Sequence, residues 1–166
     1  RVHGQDRRYH HPIIGVNGRL DTLQAAILLA KWEAFAEEVK LRGEIGARYT
    51  EMLKGIPGIV TPYIEPFNTS VYAQYTVQVE NRDEVQKKLQ AAGIPTAVHY
   101  PIPLNLQPAF AYLKQGEGGF PVSERVAKRV MSLPMGPDLN LESLTYIVGK
   151  VSEELTRKLN NVNERK

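Results

Sequence analysis

Residues 70–80 read Ser-Val-Tyr-Ala-Gln-Tyr-Thr-Val-Gln-Val-Glu, and this stretch decides the fold of the chain. Its odd-numbered positions from Val71 to Val79 carry apolar or aromatic side chains, whereas Gln74, Thr76 and Gln78 are polar. Alternation with a period of two is typical of a β-strand that buries one face and exposes the other. The pattern therefore predicts a half-buried strand over residues 70–80.

The segments next to this strand predict a small sheet packed with helices. Asn81 or Asp83 can cap a short helix that ends at Gly93, and residues 94–100 then return as a second strand. Residues 58–62 form a short segment that could join the same sheet. We expect an α+β fold, an α/β-like small domain with a small antiparallel or mixed sheet.

Helical periodicity flanks the sheet on both sides. Asp21 or Thr22 can cap a helical region whose apolar stripes continue until the glycines and proline of residues 55–58. We expect this region to form two helices with a bend near residues 32–36. Two further helices with polar caps are predicted downstream: residues 123–131 capped by Ser123, and residues 141–159 capped by Asn140.

These elements predict one compact domain with extended ends. Residues 1–19 have no sustained period, so we interpret them as a loop lead-in left from a larger domain. Residues 20–55 are linking helices, residues 56–160 form the small C-terminal α+β domain, and residues 161–166 form a frayed tail.

Composition excludes several classes of function. Apolar residues make up 42% of the chain and charged residues 23%, the balance of a water-soluble globular protein. The longest apolar run, residues 25–30, is far shorter than the about 20 residues that cross a bilayer, so no membrane partner is expected. The amino end lacks the features of a secretory signal, and the default location is the cytoplasm.

Cysteine and charge narrow the classes further. The absence of cysteine excludes disulfides, thiolate metal sites and a cysteine nucleophile. The net charge of +3 comes from Lys and Arg residues spread along the chain, so no nucleic-acid partner is expected. We also expect no metal site, because the spacing of His3, His10 and His11 fits no zinc pattern and favours histidines on a surface or interface.

Two short segments could contact an anionic ligand. Asn17 and Arg19 lie between a glycine-containing loop and a helix start, where an amide and an arginine can hold a phosphate or carboxylate. The alternative is an ordinary loop residue and a surface arginine. No Ser-His-Asp set, phosphate-binding loop or dinucleotide motif is present.

His99 and Tyr100 form the second segment and precede Pro101 and Pro103, which fix the backbone just past a predicted strand. They are either ligand contacts at the end of that strand or the exit of an edge strand with a hydrogen-bonded histidine.

Together, two motifs resemble the DegT/DnrJ/EryC1/StrS family of sugar aminotransferases. They are Gly-Val-Asn-Gly-Arg-Leu-Asp-Thr-Leu-Gln-Ala-Ala at residues 15–26 and His-Tyr-Pro-Ile-Pro-Leu at residues 99–104, in the family's order and separation. Ser-Leu-Pro-Met at residues 132–135 is similar to a third marker, and the similarity extends from Arg1 to about Leu155. The resemblance implies the small C-terminal domain of a fold-type I aminotransferase that depends on pyridoxal phosphate (PLP).

Within the family, residues 1–8 and 70–75 most resemble the bacterial enzymes that aminate C3 of UDP-2-acetamido-2-deoxy-3-oxo-glucuronate for surface polysaccharide such as lipopolysaccharide O-antigen. The resemblance implies glutamate as the amino donor. It also implies that Asn17 contacts the PLP phosphate of a neighbouring subunit, and that Arg19, His99 and Tyr100 contact the UDP-sugar. A homodimer or larger self-association is therefore expected.

One departure from the family concerns catalysis. PLP transamination needs a lysine that forms the Schiff base and a carboxylate that keeps the pyridine nitrogen protonated. The family places both before the point where this chain begins. The chain's own lysines in patterned regions do not match the setting of the catalytic lysine: Lys31, Lys40, Lys87, Lys88 and Lys150. We expect no catalytic residue in this chain and no turnover by it alone.

Two rival interpretations remain open. One is a stand-alone, non-catalytic binding or assembly module derived from the same small domain. The other is an enzyme of another type that uses His99 as a base, although no carboxylate or nucleophile is visible beside it.

Overall fold

A computed structural model describes residues 3–163. The chain divides into two compact units, residues 1–38 and residues 39–166. None of the helices in the described part of the chain has the length and apolarity needed to cross a membrane.

The first unit begins with a segment that folds back on itself. The amide of His3 donates to the carbonyl of Val16 at 3.2 Å. A side chain at Gly4 would place a Cβ 1.9 Å from the carbonyl oxygen of Ile13, so only glycine permits this approach. The segment leads to helix α1, Thr22–Leu53. Asp21 caps α1 as predicted, because its Oδ1 accepts from the amide of Leu23 at 2.9 Å.

The prediction of two helices in residues 20–55 was wrong, because α1 is continuous from Thr22 to Leu53. The expected bend at residues 32–36 falls on Trp-Glu-Ala-Phe-Ala, which contains no glycine or proline to interrupt the backbone hydrogen bonds. The side chains of Trp32 and Phe35 instead stack on one another on the exposed surface of the helix, with ring centroids 5.5 Å apart.

The second unit contains a three-stranded antiparallel sheet. Its strands are β1 (Ile59–Val60), β2 (Tyr75–Val79) and β3 (Val130–Leu133), in the order β1-β2-β3. The predicted small α+β sheet is confirmed, as is the short strand within residues 58–62. In the register of β2 with β3, Thr76 faces Ser132.

The decisive strand is shorter than predicted, since only residues 75–79 of 70–80 are extended in the sheet. The guanidinium of Arg42 donates to the carbonyls of Val71, Tyr72 and Ala73 at 2.7–3.1 Å. Tyr72 has a φ of 43°, which turns the chain away from the strand direction. The arginine therefore provides the hydrogen bonds that a neighbouring strand would have supplied.

The third strand was predicted in the wrong place. Residues 94–100 make a single bridge, between Ala97 and Ser132, instead of the expected strand. Pro95 contributes to this difference, because proline has no amide proton for a ladder hydrogen bond. The strand that pairs with β2 is β3, whose first two residues had been assigned to the helix 123–131. That helix, α3, covers only Pro121–Ala127 and begins after Phe120 rather than at Ser123.

Two other helices lie close to their predicted positions, although the predicted side-chain cap of the first is wrong. Helix α2 spans Arg82–Ala91 and follows Asn81, whose side chain makes no capping hydrogen bond. Helix α4 spans Leu141–Asn163 and is capped by Asn140, which accepts from the amide of Ser143 at 2.8 Å. Of the predicted frayed tail, residues 161–163 belong to α4 and residues 164–166 lie outside the described residues. Two 3₁₀ turns, Leu104–Leu106 and Pro108–Leu113, precede α3.

The core joins α1 to the sheet through two tyrosines. Tyr49 and Tyr75 stack with centroids 4.8 Å apart, and both are fully buried. Their hydroxyls are paired, Tyr49 with the carbonyl of Pro134 and Tyr75 with Thr50. Burial raises the pKa of Tyr75 to about 12 and raises that of Tyr49 as well, so both rings stay neutral.

Gly46 lets Tyr72 pack against α1. A Cβ at Gly46 would lie 2.2 Å from Cδ2 of Tyr72, whereas a Cβ at Gly43 would meet only the carbonyl oxygen of Ser70, at 3.6 Å. A larger side chain should therefore collide with Tyr72 at Gly46 but fit without a clash at Gly43.

We predict that Gly46→Ala lowers the free energy of unfolding by about 1–3 kcal/mol, the usual cost of overpacking. Gly43→Ala is the matched control and should raise the free energy of unfolding by up to about 1 kcal/mol, because alanine favours a helix over glycine. Urea unfolding measures both. Equal effects of the two substitutions would contradict the packing of Tyr72 on Gly46.

Candidate functional site

The two faces of the sheet have different environments. Tyr75, Val77 and Val79 are fully buried in the core, while Thr76 and Gln78 alternate with them and lie on the opposite face. Ser132 faces Thr76 in the register, so it belongs to this opposite face. This face, which we call the polar face, carries the candidate site.

A pocket of about 590 Å³ lies beside the polar face, where Val130 pairs with Gln78. It is lined by Val130, by residues from 99 to 107 and by residues from 120 to 127. Its walls are largely apolar and include Ile102, Leu104, Phe120, Val126 and Val130. Its polar groups come from His99, Tyr100, Asn105, Gln107 and Ser123. An apolar cavity with a few placed polar groups is the usual form of a site for an organic ligand.

His99 is half-buried at the edge of this pocket. Its Nδ1 lies 3.0 Å from Oγ of Ser132, and that Oγ lies 2.9 Å from Oγ1 of Thr76. Ser132 is buried, with 4% of its surface exposed. The imidazole therefore has one nitrogen hydrogen-bonded to the sheet while the ring lines the pocket.

Tyr100 follows His99 through a cis peptide bond and is largely exposed, at 74%. The two rings meet edge to face with centroids 5.7 Å apart. The structure thus brings His99 and Tyr100 together in the pocket wall. His99 is a hydrogen-bonded histidine and also lines a pocket, so both alternatives left open by the sequence stay predictions.

Glu124 of α3 fixes the loop that forms one side of the pocket. Its carboxylate accepts from the amides of Gly118 at 2.9 Å and Phe120 at 3.1 Å, and from Nδ2 of Asn105 at 3.0 Å. The hydrogen bonds from Gly118 and Phe120 hold the pKa of the Glu124 carboxyl below its usual value. Phe120 and Asn105 both line the pocket, so Glu124 shapes it.

Asn17 and Arg19 lie in the first unit and are also close together. Nε of Arg19 donates to Oδ1 of Asn17 at 3.0 Å, and both side chains are exposed. Because the amide oxygen is occupied, the amide NH₂ and the outer guanidinium nitrogens remain as donors. Donors of this kind fit an anionic group such as a phosphate.

Sequence reasoning missed three residues of the pocket region: Thr76, Ser132 and Glu124. Thr76 and Ser132 are far apart in the chain, and only the strand register brings them to His99. The one signal for Ser132 was its place at the start of the 132–135 marker. Glu124 resembled an ordinary helix-surface residue.

The fold defines an α+β domain with a candidate ligand pocket beside a small antiparallel sheet. Residues 1–152 match the family described as DegT/DnrJ/EryC1/StrS aminotransferases. The chain belongs to this family. The family's aminotransferases use pyridoxal phosphate.

Curated proteins with similar sequences support the same family. The chain is 59% identical over 145 residues to UDP-2-acetamido-2-deoxy-3-oxo-D-glucuronate aminotransferase of Pseudomonas aeruginosa, a match covering 87% of this chain and 39% of that protein. It is 43% identical to a pleiotropic regulatory protein of Geobacillus stearothermophilus, covering 92% of this chain and 42% of the relative. The chain thus spans about two fifths of the length of these relatives.

Solved structures share the fold. DesV of S. venezuelae, in complex with a ketimine intermediate, superposes with a TM-score of 0.84 at 37% identity, over 92% of this chain and 41% of that one. A DegT DnrJ EryC1 StrS aminotransferase from Brucella abortus gives a TM-score of 0.80 at 39% identity, over 92% and 40%. The predicted family and fold class are confirmed.

We predict that Glu124→Gln lowers the hydrogen-exchange protection of the Gly118 and Phe120 amides, because a neutral amide has one acceptor oxygen in place of two charged ones. Since the pKa of Glu124 is lowered in the folded state, its contribution to loop order is present above the carboxyl's ordinary pKa. The contribution is lost as the pH falls through the folded-state pKa. Exchange measured by NMR against pH tests both statements.

Glu117→Gln is the control, since it removes a charge from the same loop without touching the Glu124 hydrogen bonds. Unchanged protection of Gly118 and Phe120 in Glu124→Gln would show that the carboxylate does not hold the loop.

Proposed function

We propose that the chain is the C-terminal part of a PLP-dependent aminotransferase. The complete enzyme transfers an amino group from glutamate to a keto nucleotide-sugar, UDP-2-acetamido-2-deoxy-3-oxo-glucuronate. The product would serve surface polysaccharide synthesis, including lipopolysaccharide O-antigen, in the cytoplasm. The observation that carries this proposal is the 59% identity to an aminotransferase of that substrate.

The proposed division of the chain into segments also rests on its similarity to these aminotransferases. Residues 1–19 continue from a large domain, residues 20–55 link it to the small domain, and residues 56–160 form the small domain, with residues 161–166 as its tail. The Schiff-base lysine and the carboxylate for the pyridine nitrogen belong to the preceding large domain. No catalytic residue is assigned to this chain.

Cofactor binding by this chain rests on Asn17. Bound pyridoxal phosphate supplies an electron sink for the carbon that exchanges the amino group. Arg19 donates to the amide oxygen of Asn17, and the amide NH₂ is a separate donor that can bond to the phosphate. In the proposed homodimer this phosphate is held by the neighbouring subunit.

The UDP-sugar is assigned to three side chains. Arg19 retains its outer guanidinium donors, which suit a diphosphate or a sugar carboxylate. His99 and Tyr100 line a largely apolar pocket with a few polar groups, which suits a sugar with an acetamido group. A ring N–H and a phenol can each pair with sugar hydroxyls or the carboxylate.

A second candidate is a stand-alone, non-catalytic binding or assembly module. It is favoured by the match to a relative named as a pleiotropic regulatory protein. Titration of the 166-residue chain with a UDP-sugar separates the two candidates. A dedicated module should bind tightly, whereas a part of an enzyme should bind weakly.

The direct test uses the complete protein loaded with pyridoxal phosphate. The protein is incubated with glutamate and the 3-oxo UDP-sugar, and mass spectrometry detects the amino sugar. The proposal expects the amino product with this substrate. Amination of a keto sugar without the C6 carboxylate, together with none of the 3-oxo-glucuronate, would refute the substrate assignment.

We predict that Tyr100→Phe in the complete enzyme lowers kcat/KM for the UDP-sugar by about 2- to 10-fold, the value of one neutral hydrogen bond. Tyr63→Phe is a matched control, because Tyr63 is 75% exposed against 74% for Tyr100 and does not line the pocket. Steady-state kinetics measure both variants. Equal kcat/KM values for the two would remove Tyr100 from the substrate site.

We also predict that the 166-residue chain self-associates. Apolar side chains at the start of α1 are largely exposed, among them Leu23 at 76%, Leu29 at 73% and Trp32 at 70%. Sedimentation should show a mass above 18.7 kDa that depends on concentration.

In the same experiment, Ile27→Glu should weaken the association more than Gln24→Glu, which adds the same charge to the same helix at a polar position. A single species of 18.7 kDa at all concentrations would contradict the prediction.

A further inference from the structure

His99 is tied to the sheet by two hydroxyl groups in sequence. Nδ1 of His99 lies 3.0 Å from Oγ of Ser132, which lies 2.9 Å from Oγ1 of Thr76. We call this set the hydroxyl chain. It connects the pocket to the middle strand of the sheet.

The backbone fixes the position of the hydroxyl chain. Ser132 pairs with Thr76 on one side and with Ala97 on the other, so the residue lies between these two neighbours in the sheet. The amide and the carbonyl of Ser132 are both bonded to Ala97, at 2.8 and 3.2 Å. His99 is two residues beyond Ala97 and lies diagonally opposite Ser132, within reach of a long side chain.

The direction of the hydrogen bonds follows from counting protons. If Thr76 donates to Ser132 and Ser132 donates to His99, every hydroxyl proton has an acceptor. In the reverse direction, Nδ1 carries the proton and the Thr76 proton has no acceptor among the hydrogen bonds of residues 3–163. Buried hydroxyls are usually paired, so we take the direction in which every hydroxyl of the set has an acceptor.

This direction decides what His99 offers to a ligand. With Nδ1 as an acceptor, the neutral ring carries its proton on Nε2. Within the described part of the chain, no hydrogen bond uses Nε2, and His99 lines the pocket. The imidazole is thereby held as a donor to an oxygen atom in the pocket.

We propose that Ser132 and Thr76 are positioning residues that orient His99 and fix its tautomer, so that Nε2–H donates to a hydroxyl or carboxylate oxygen of the nucleotide-sugar. The identity of that ligand rests on the proposed function, whereas the hydroxyl chain itself does not. The alternating face of β2 and the marker serine at residue 132 thus gain a role beyond packing.

The first test is NMR of the 166-residue chain with ¹⁵N-labelled histidine, in which His99→Gln assigns the signals of His99. The wild-type ring should carry its proton on Nε2, with an Nδ1 signal displaced by hydrogen bonding. In Ser132→Ala the Nδ1 signal should move to that of an unbonded nitrogen. A proton on Nδ1 in the wild type, or no change in Ser132→Ala, would overturn the proposal.

Three further variants separate the hydroxyl chain from general packing. Thr76→Val replaces the hydroxyl with a methyl group and should shift the His99 signals in the same direction, whereas Thr76→Ser should leave them near the wild type. Ser123→Ala removes a hydroxyl from the same pocket that is not bonded to His99, so it should have no effect. Amide spectra of each variant confirm that the fold is retained.

The second test uses the complete enzyme. Ser132→Ala should raise KM for the UDP-sugar by about three- to tenfold with kcat within twofold, because binding of the ligand is weakened in ground and transition states alike. If the NMR effect is seen but the enzyme aminates no UDP-sugar, the proposed function fails and the hydroxyl chain stands. If KM changes without the NMR effect, the hydroxyl chain is refuted and the function stands.

Discussion

The pairing of β2 with β3 is the constraint on which the core and the candidate site both depend. It places Tyr75, Val77 and Val79 on the face that packs against α1 and α4, and Thr76 beside Ser132 on the polar face. Because side chains alternate along a strand, a slip of one residue would exchange the two faces. The stack of Tyr49 on Tyr75 resists such a slip, since the paired tyrosine hydroxyls could not follow it. One register therefore fixes both stability and the geometry around His99.

The sequence predicted the elements that carry a strong local signal. The alternation in residues 75–79 and the caps at Asp21 and Asn140 are recorded in adjacent residues, and the structure confirms them. Strand β3 could not be recognised, because four consecutive buried residues have neither a helical nor a strand period. Residues 94–100 lie on the other side of β3 from β2 and make only the bridge between Ala97 and Ser132. The early part of the predicted strand is not in the sheet, because Arg42 bonds to its carbonyls. These residues are about 30 positions from Arg42, so no local sequence pattern could reveal the contact.

In the candidate site, too, some residues have a local sequence signal and others are brought in only by long-range contacts. His99 and Tyr100 could be singled out because prolines follow them at the end of a predicted strand, and the structure places both in a pocket. Their roles came from a family resemblance, and the partners that orient them came only from the register. Glu124 was invisible to sequence reasoning because the three donors to its carboxylate come from a loop and a 3₁₀ turn with no regular period. Asn17 and Arg19 form a second set of donors, in the other compact unit.

A crystal structure of the complete protein with bound UDP-glucuronate, a stable relative of the proposed substrate, tests the central claim most directly. We predict that an oxygen of the sugar or of its carboxylate lies within hydrogen-bonding distance of Nε2 of His99, while Nδ1 remains bonded to Ser132. A sugar bound instead in the groove beside Tyr146, with no ligand atom near His99, would contradict the account.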